Sequence, residues 1–266
     1  MGKVIAICNQ KGGVGKTTTT LNMAAQLAAV GKRVLMLDFD GQANLTLACG
    51  IEEFEKLEAT IASVMDDLIQ EGETKRPLPV YRVEERLELI PANTALAATN
   101  QELIKAIARE WVLHTALEPI RNQYDYILID CAPSLGIDLL NALVAADETL
   151  IVTNPARFSE RGTHQLLKTI KMVQKLLNKE LQISGALFNR VDRRTRLARD
   201  IMALMRDTWG EELHLFDTEI PVSIRIDESQ AMGIPLAVYQ PESKPAKAYQ
   251  EFVHEYLQEE ERRNRQ

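Results

Sequence analysis

Residues 11–20 read KGGVGKTTTT, set between the apolar run Val4–Cys8 and the helix-like Leu21–Ala29. A buried strand, a glycine-rich turn and a helix in that order describe a phosphate cradle. The glycines let the backbone curl until several N–H groups point inward, and the helix N-terminus adds a partial positive charge. In that frame Gly12, Gly13, Val14 and Gly15 offer backbone amides. Lys16 reaches the terminal phosphates, and Thr17 places its hydroxyl on Mg²⁺. The stretch departs from the general pattern G-x-x-x-x-G-K-[ST] at its first glycine, which falls on Gln10. A second lysine, Lys11, stands at the mouth of the loop instead.

Further short apolar runs alternate with helical patterns along the rest of the chain. Strands are predicted at Val4–Cys8, Val34–Leu37, Leu87–Ile90, Tyr126–Ile129, Thr149–Thr153, Ile183–Asn189 and Phe216–Ile220. Helices are predicted at Thr18–Val30, Ile61–Ile69, Ala95–Ala108, Val112–Asn122 (with Pro119 as a break point), Ile137–Ala146, Glu160–Leu177, Ser223–Met232 and Ala246–Arg262. Residues 47–80 read as less regular, and Arg190–Met205 as mostly helical. Continuous apolar strands separated by helices indicate a parallel sheet covered on both faces. Ligands of such sheets gather at the carboxyl ends of the strands. Asp38, Asp40 and Asp130 all end predicted strands beside the glycine loop. A nucleotide-bound Mg²⁺ keeps several waters and is held through few carboxylates, so three such aspartates suit it.

The formal charge of −7 is unevenly spread. Glu52–Glu73 holds eight acids and one lysine, so the remainder is close to neutral. Within that remainder Arg190–Arg206 carries six arginines against Asp192 and Asp200. A local basic patch on an acidic protein suits phosphate contacts, which give affinity without sequence readout. Cys8, Cys49 and Cys131 show no C-x-x-C spacing, which argues against a zinc site or disulfide framework. No apolar run approaches the roughly 20 residues of a membrane helix. The first strand begins at about Val4, so no signal peptide and a cytoplasmic location are expected.

The segments KGGVGKTTTT, LDFDGQANLT and YDYILIDCAPSLG, with LFNRVDRRT and TEIPVSIRIDESQAMGIPLAVYQPESKPAKAY, resemble the ParA/Soj family of deviant Walker A ATPases nearly end to end. The resemblance implies a three-layer α/β P-loop NTPase with a mostly parallel, twisted sheet of seven to eight strands. It implies one ATPase domain over residues 1–266, with no N-terminal helix-turn-helix domain. Lys11 then matches the signature lysine that reaches the partner's phosphates in an ATP-bound sandwich homodimer. Lys16 binds the β- and γ-phosphates, Thr17 ligates Mg²⁺, and Thr18 contacts the α-phosphate. Asp40 positions the attacking water, Asp38 supports the metal shell, and Asp130 is the Walker B acid. Asn189, helped by backbone near Pro221, reads the adenine. Non-specific double-stranded DNA falls to Arg190, Arg193, Arg194, Arg196, Arg199 and Arg225, with Lys247 a weaker candidate.

The function so implied is ATP-dependent partition of a chromosome or plasmid, with hydrolysis stimulated by a ParB-type centromere-binding protein and the ATPase gathered on the nucleoid. Three alternatives share the loop. A ParA-like positioner of a non-DNA cargo shares every residue. A MinD-type membrane site selector needs a basic amphipathic tail, whereas EFVHEYLQEEERRNRQ carries five glutamates against three arginines. An iron–sulfur relative needs paired cysteine ligands, which Cys8 and Cys131 do not supply.

Overall fold

A computed structural model describes residues 1–156, 159–210 and 212–265, with the side chains of residues 159–161 left aside. The strands are β1 (Lys3–Cys8), β2 (Val34–Phe39), β3 (Tyr81–Glu84), β4 (Leu87–Ile90), β5 (Tyr126–Cys131), β6 (Glu148–Thr153), β7 (Gln182–Val191) and β8 (Leu215–Pro221). The helices are α1 (Lys16–Ala29), α2 (Asn44–Ala48), α3 (Ile61–Glu71), α4 (Ala95–Leu103), α5 (Val112–Leu117), α6 (Ile137–Ala145), α7 (Ser159–Leu176), α8 (Arg196–Trp209), α9 (Ile224–Ala231), α10 (Leu236–Tyr239) and α11 (Lys244–Arg265). The eight strands form one sheet in the order β3-β4-β2-β5-β1-β6-β7-β8. All neighbours are parallel except β3 and β4.

Every residue of β2, β5 and β6 is buried, which is why these strands read as unbroken apolar runs. One face of the sheet packs the apolar side of α3–α8, through residues such as Met65, Leu113, Leu143, Ile170 and Met205. The other face packs α1, α2 and α9–α11, through Leu21, Leu45, Ile226, Leu236, Tyr249 and Phe252. The three-layer expectation therefore stands, with eight strands.

Local details differ from the expectations. Tyr81–Glu84, which no predicted element covered, pairs antiparallel with β4. Its connecting turn puts Arg86 at φ 62, a left-handed position that carries no glycine signal in the sequence. The helix begun at Val112 ends at Leu117, and Pro119 opens a tighter 3₁₀ turn. Beyond Asn189, β7 runs on to Val191, and a turn at 192–195 precedes α8, whose Thr195 caps Ala198 N at 3.3 Å.

Helix α11 is tied to the sheet at two places. At the amino ends of the strands, Lys3 Nζ lies 2.7 Å from Glu148 and 2.5 Å from Glu260. Glu148 also accepts from Tyr256 at 2.8 Å and from Arg263 at 3.1 Å, and Tyr126 donates to Glu260 at 2.6 Å. At the sheet edge, the carboxylate of Glu255 accepts the β8 amides of Asp217 (2.6 Å) and Thr218 (3.0 Å). β8 ends the sheet, and the carboxylate satisfies two backbone donors there.

Glu148 sits 2% exposed between two cations, so its removal leaves Arg263 without its carboxylate and Lys3 with Glu260 alone. Glu148→Ala is expected to cost about 3 kcal/mol in urea unfolding, the lower part of the range for breaking a buried ion pair. Glu148→Gln keeps acceptors for Tyr256 and Arg263 and is expected to cost less.

Candidate active site

The glycine loop bridges β1 and α1. Gly13 (φ 71) and Gly15 (φ 99) adopt left-handed backbone, which a residue with Cβ adopts only with strain. Gly15 is the N-cap of α1, with no side-chain cap bond and no acid in the first turn. The first amides of α1 are therefore open to an anion. A Cβ added at Gly12 or Gly13 would meet nothing within 4 Å, so the loop borders open space. That space is a cavity of about 530 Å³ lined by Gly12, Gly13, Gly15, Lys16, Thr17, Thr18, Asp40, Gln42, Pro133, Arg190 and Gln230, among others. Its size suits a nucleotide-sized ligand.

Lys16 is 7% exposed, and its ammonium rests 3.4 Å from the Lys11 carbonyl across the loop. A buried lysine with one weak neutral acceptor fits an incoming anion. Lys11 does not line the cavity of its own chain; its ammonium meets Asn154 Oδ1 at 3.3 Å, and its amide bonds Asn9 Oδ1 at 2.9 Å.

Two buried carboxylates stand beneath the loop on neighbouring strands, Asp38 opposite Asp130. Asp130 accepts Thr17 Oγ1 at 2.6 Å, and Thr20 lies at 3.5 Å. Burial first, then the charge of Asp38, push the Asp130 carboxyl up to about 8; Thr17 and Lys16 pull the other way. Asp38 accepts the amide and hydroxyl of Thr46 at 2.8 and 2.7 Å and the amide of Asp40 at 3.3 Å. Burial raises Asp38 to about 6 against these bonds. Both of its oxygens are thus engaged by protein, and it holds the start of α2 and the Asp40 turn in place. Asp40 itself is half-buried, lines the cavity and accepts the Gln42 amide at 3.0 Å. A hydroxyl bonded to a carboxylate at the foot of an amide-lined cavity is a donor set that fits Mg²⁺. No group of three His, Cys, Asp or Glu among the described residues forms a metal cluster by itself.

Asn189 lies 1% exposed beneath the loop, away from this cavity but on a narrow one beside it. Its Nδ2 donates to Thr19 Oγ1 at 2.9 Å and Tyr249 OH at 3.0 Å, and reaches the Gly15 carbonyl at 3.4 Å. A Cβ at Gly15 would come within 2.6 Å of that nitrogen. Thr18 Oγ1 accepts from Gln230 at 3.0 Å. Pro221 lines a different cavity, with Arg193, Arg194 and Lys244. Tyr249, which comes from α11, Thr46, the partner of Asp38, and Gln230 all lie inside motifs quoted above, but none carried an assigned role.

The arginines do not form one unit. Arg190 lines the nucleotide-sized cavity. Arg193 pairs with Glu219 at 2.7 Å, Arg194 with Asp192 at 2.8 Å, Arg196 with Asp200 at 3.4 Å, and Arg225 with Glu228 at 2.7 Å. Lys247 pairs with Glu242 at 2.8 Å. Arg199 is exposed on the first turn of α8. The pairs of Arg194, Arg196, Arg225 and Lys247 are exposed, worth little and exchange readily for other anions, whereas Arg193 meets a buried carboxylate.

A family profile described as an AAA domain matches residues 2–183. The sporulation initiation inhibitor protein Soj of Bacillus subtilis is 40% identical over 255 residues, covering 96% of this chain and 98% of that protein. The chromosome-partitioning ATPase Soj of Treponema pallidum is 37% identical, covering 97% and 98%. Among solved structures, the cobyrinic acid a,c-diamide synthase of Mycobacterium smegmatis with bound ATP analog and magnesium has a TM-score of 0.84 at 33% identity, covering 98% of this chain and 96% of that one.

Between about pH 4 and pH 8 the folded, nucleotide-free protein keeps the Asp130 proton that the unfolded chain has released. The folded form binds more protons in that window, so its stability falls as pH rises. The expected outcome is a higher melting temperature at pH 6 than at pH 8 in chelator, with a flatter profile in Asp130→Asn. Parallel profiles in the two proteins would refute it.

Proposed function

The chain belongs to the ParA/Soj family of partition ATPases, and we propose that it acts as a nucleotide-gated DNA carrier. In this reading ATP joins two copies, the dimer binds DNA without sequence preference, and hydrolysis stimulated by a ParB-type partner releases it. The observation that carries the dimer is the placement of Lys11. It stands at the mouth of the phosphate loop yet does not line its own cavity. A lysine so placed is positioned to serve a facing copy, where a second positive charge would stabilise the transferring phosphoryl group.

Within one cavity the positions support the following roles. The loop amides and Lys16 grip the phosphates, and Thr18 stands at the α-phosphate end. Thr17 and Asp130 would hold Mg²⁺, which supplies Lewis-acid neutralisation of phosphate charge. Asp38 keeps the Asp40 turn in register from behind. Asp40 faces the cavity and orients the water that attacks the γ-phosphorus. Asn189 acts at one remove, since its amide is spent on Thr19, Tyr249 and the loop. Any adenine contact from this region falls to its neighbours.

We read residues 1–266 as one ATPase domain and place the DNA contact on its own surface. Arg193, Arg194, Arg196, Arg199 and Arg225 are the cations offered, each close to a helix start or the turn before α8. The apolar residues of α11 (Phe252, Val253 and Tyr256) are buried against the sheet, which leaves no greasy face for a membrane. No helix among the described residues is long and apolar enough to cross one. Nucleoid association in the cytoplasm fits this reading, and the cargo is a chromosome or plasmid.

DNA affinity measured with ATP, ADP and no nucleotide tests the gate; ATP is expected to raise it at least tenfold. Equal affinity in all three states overturns the reading. Asp40→Ala is expected to slow hydrolysis about 100-fold, the lower end for a lost general base, and to accumulate as a DNA-bound dimer. Lys11→Ala is expected to stay monomeric with ATP in size-exclusion chromatography.

A further inference from the structure

Of the arginines of residues 190–206, it is Arg190 that lines the nucleotide-sized cavity. It is exposed and lines two adjoining cavities. One is the nucleotide-sized cavity with Gly15, Lys16 and Thr18; the other is a narrow extension with Thr18, Asn189, Val222 and Asp227. Its neighbours Arg193, Arg194 and Arg196 are each matched to a carboxylate. The guanidinium of Arg190 makes no hydrogen bond or ion pair among the described residues. An uncompensated cation at the rim of an amide-lined cavity matches an anionic ligand with an aromatic base, through charge or through stacking of the planar guanidinium.

The backbone of the same residue is held with unusual care. Arg190 has φ 56, in the left-handed region that residues with a side chain rarely occupy. Its amide donates to Asn189 Oδ1 at 2.6 Å, while Asn189 Nδ2 is fixed by Thr19 and Tyr249. Thr19 belongs to α1, which begins at the loop, and Tyr249 to α11. The strained turn is thus pinned from the phosphate-loop helix on one side and the last helix on the other. Two residues further on, Asp192 starts the turn that carries Arg193 and Arg194 into α8.

We infer that Arg190 is a nucleotide contact that ties occupancy of the cavity to the course of residues 192–199. The inference rests on the nucleotide-gated DNA binding proposed above. A ligand shifts a conformational equilibrium only by what it contacts differently in the two states. Arg190 supplies such a contact, because its side chain faces the ligand and its backbone opens the arginine turn. By reciprocity, DNA held on that turn would tighten nucleotide binding by the same factor.

The test uses Arg190→Asn in the full chain. Asparagine tolerates left-handed backbone, so the cation is removed with little change to the turn. Two quantities are read: affinity for a fluorescent ATP analogue, and the ratio of DNA affinities with ATP and with ADP. The expected result is about a tenfold loss of nucleotide affinity with the DNA ratio falling toward one. Unchanged nucleotide affinity, with DNA binding weakened equally in ATP and ADP, would overturn the inference and make Arg190 a plain DNA contact. A wild-type protein whose DNA affinity ignores nucleotide would instead sink the parent reading. The analogue titration of Arg190→Asn would then still decide whether Arg190 touches the nucleotide.

Discussion

Two carboxylates, Asp38 and Asp130, lie side by side at the ends of the neighbouring strands β2 and β5, both essentially excluded from water. Lost hydration and the nearness of the two groups, which together hold a proton on Asp130, are the tension around which the molecule is arranged. Thr17 answers Asp130 from the first turn of α1, and Thr46 answers Asp38 from α2. Each helix start is therefore docked on the sheet by a hydroxyl–carboxylate contact, and the loop between β1 and α1 is held open above them. A cation arriving with phosphate would relieve what the protein alone only partly offsets.

The second organising element is the amide of Asn189. It gathers the loop carbonyl of Gly15, the hydroxyl of Thr19 and the phenol of Tyr249 into one buried knot. Burying so many polar groups is tolerable because they satisfy one another. The knot joins the first helix, the seventh strand and the last helix, which are far apart in the chain. The glycine at position 15 is needed here for space as well as for its backbone angle.

The strands of the inner sheet were legible because each is buried on both faces and so reads as a solid apolar run. The glycine loop was legible because its chemistry is local. The hairpin strand Tyr81–Glu84 was not, since its pattern of half-buried and exposed residues and its charged turn look like loop. The site showed the same division. Asp38, Asp40 and Asp130 could be picked out as strand-end acids. That Asp38 is engaged by Thr46, and Asn189 by Tyr249, depends on tertiary placement that no spacing encodes. Arg190 was grouped with its neighbours by composition, and the left-handed turn that separates it from them has no glycine to announce it.

The carboxylate of Glu255, holding two amides of the edge strand β8, bears on how this chain tolerates handling at its C-terminal end. Trimming α11, or prising it up with a bulky fusion, would uncover a parallel edge strand with two vacant donors and a hydrophobic flank. Such an edge recruits other strands indiscriminately. The last helix is in this sense a bookend, and preparations that lose it would be lost to precipitation before their chemistry could be measured.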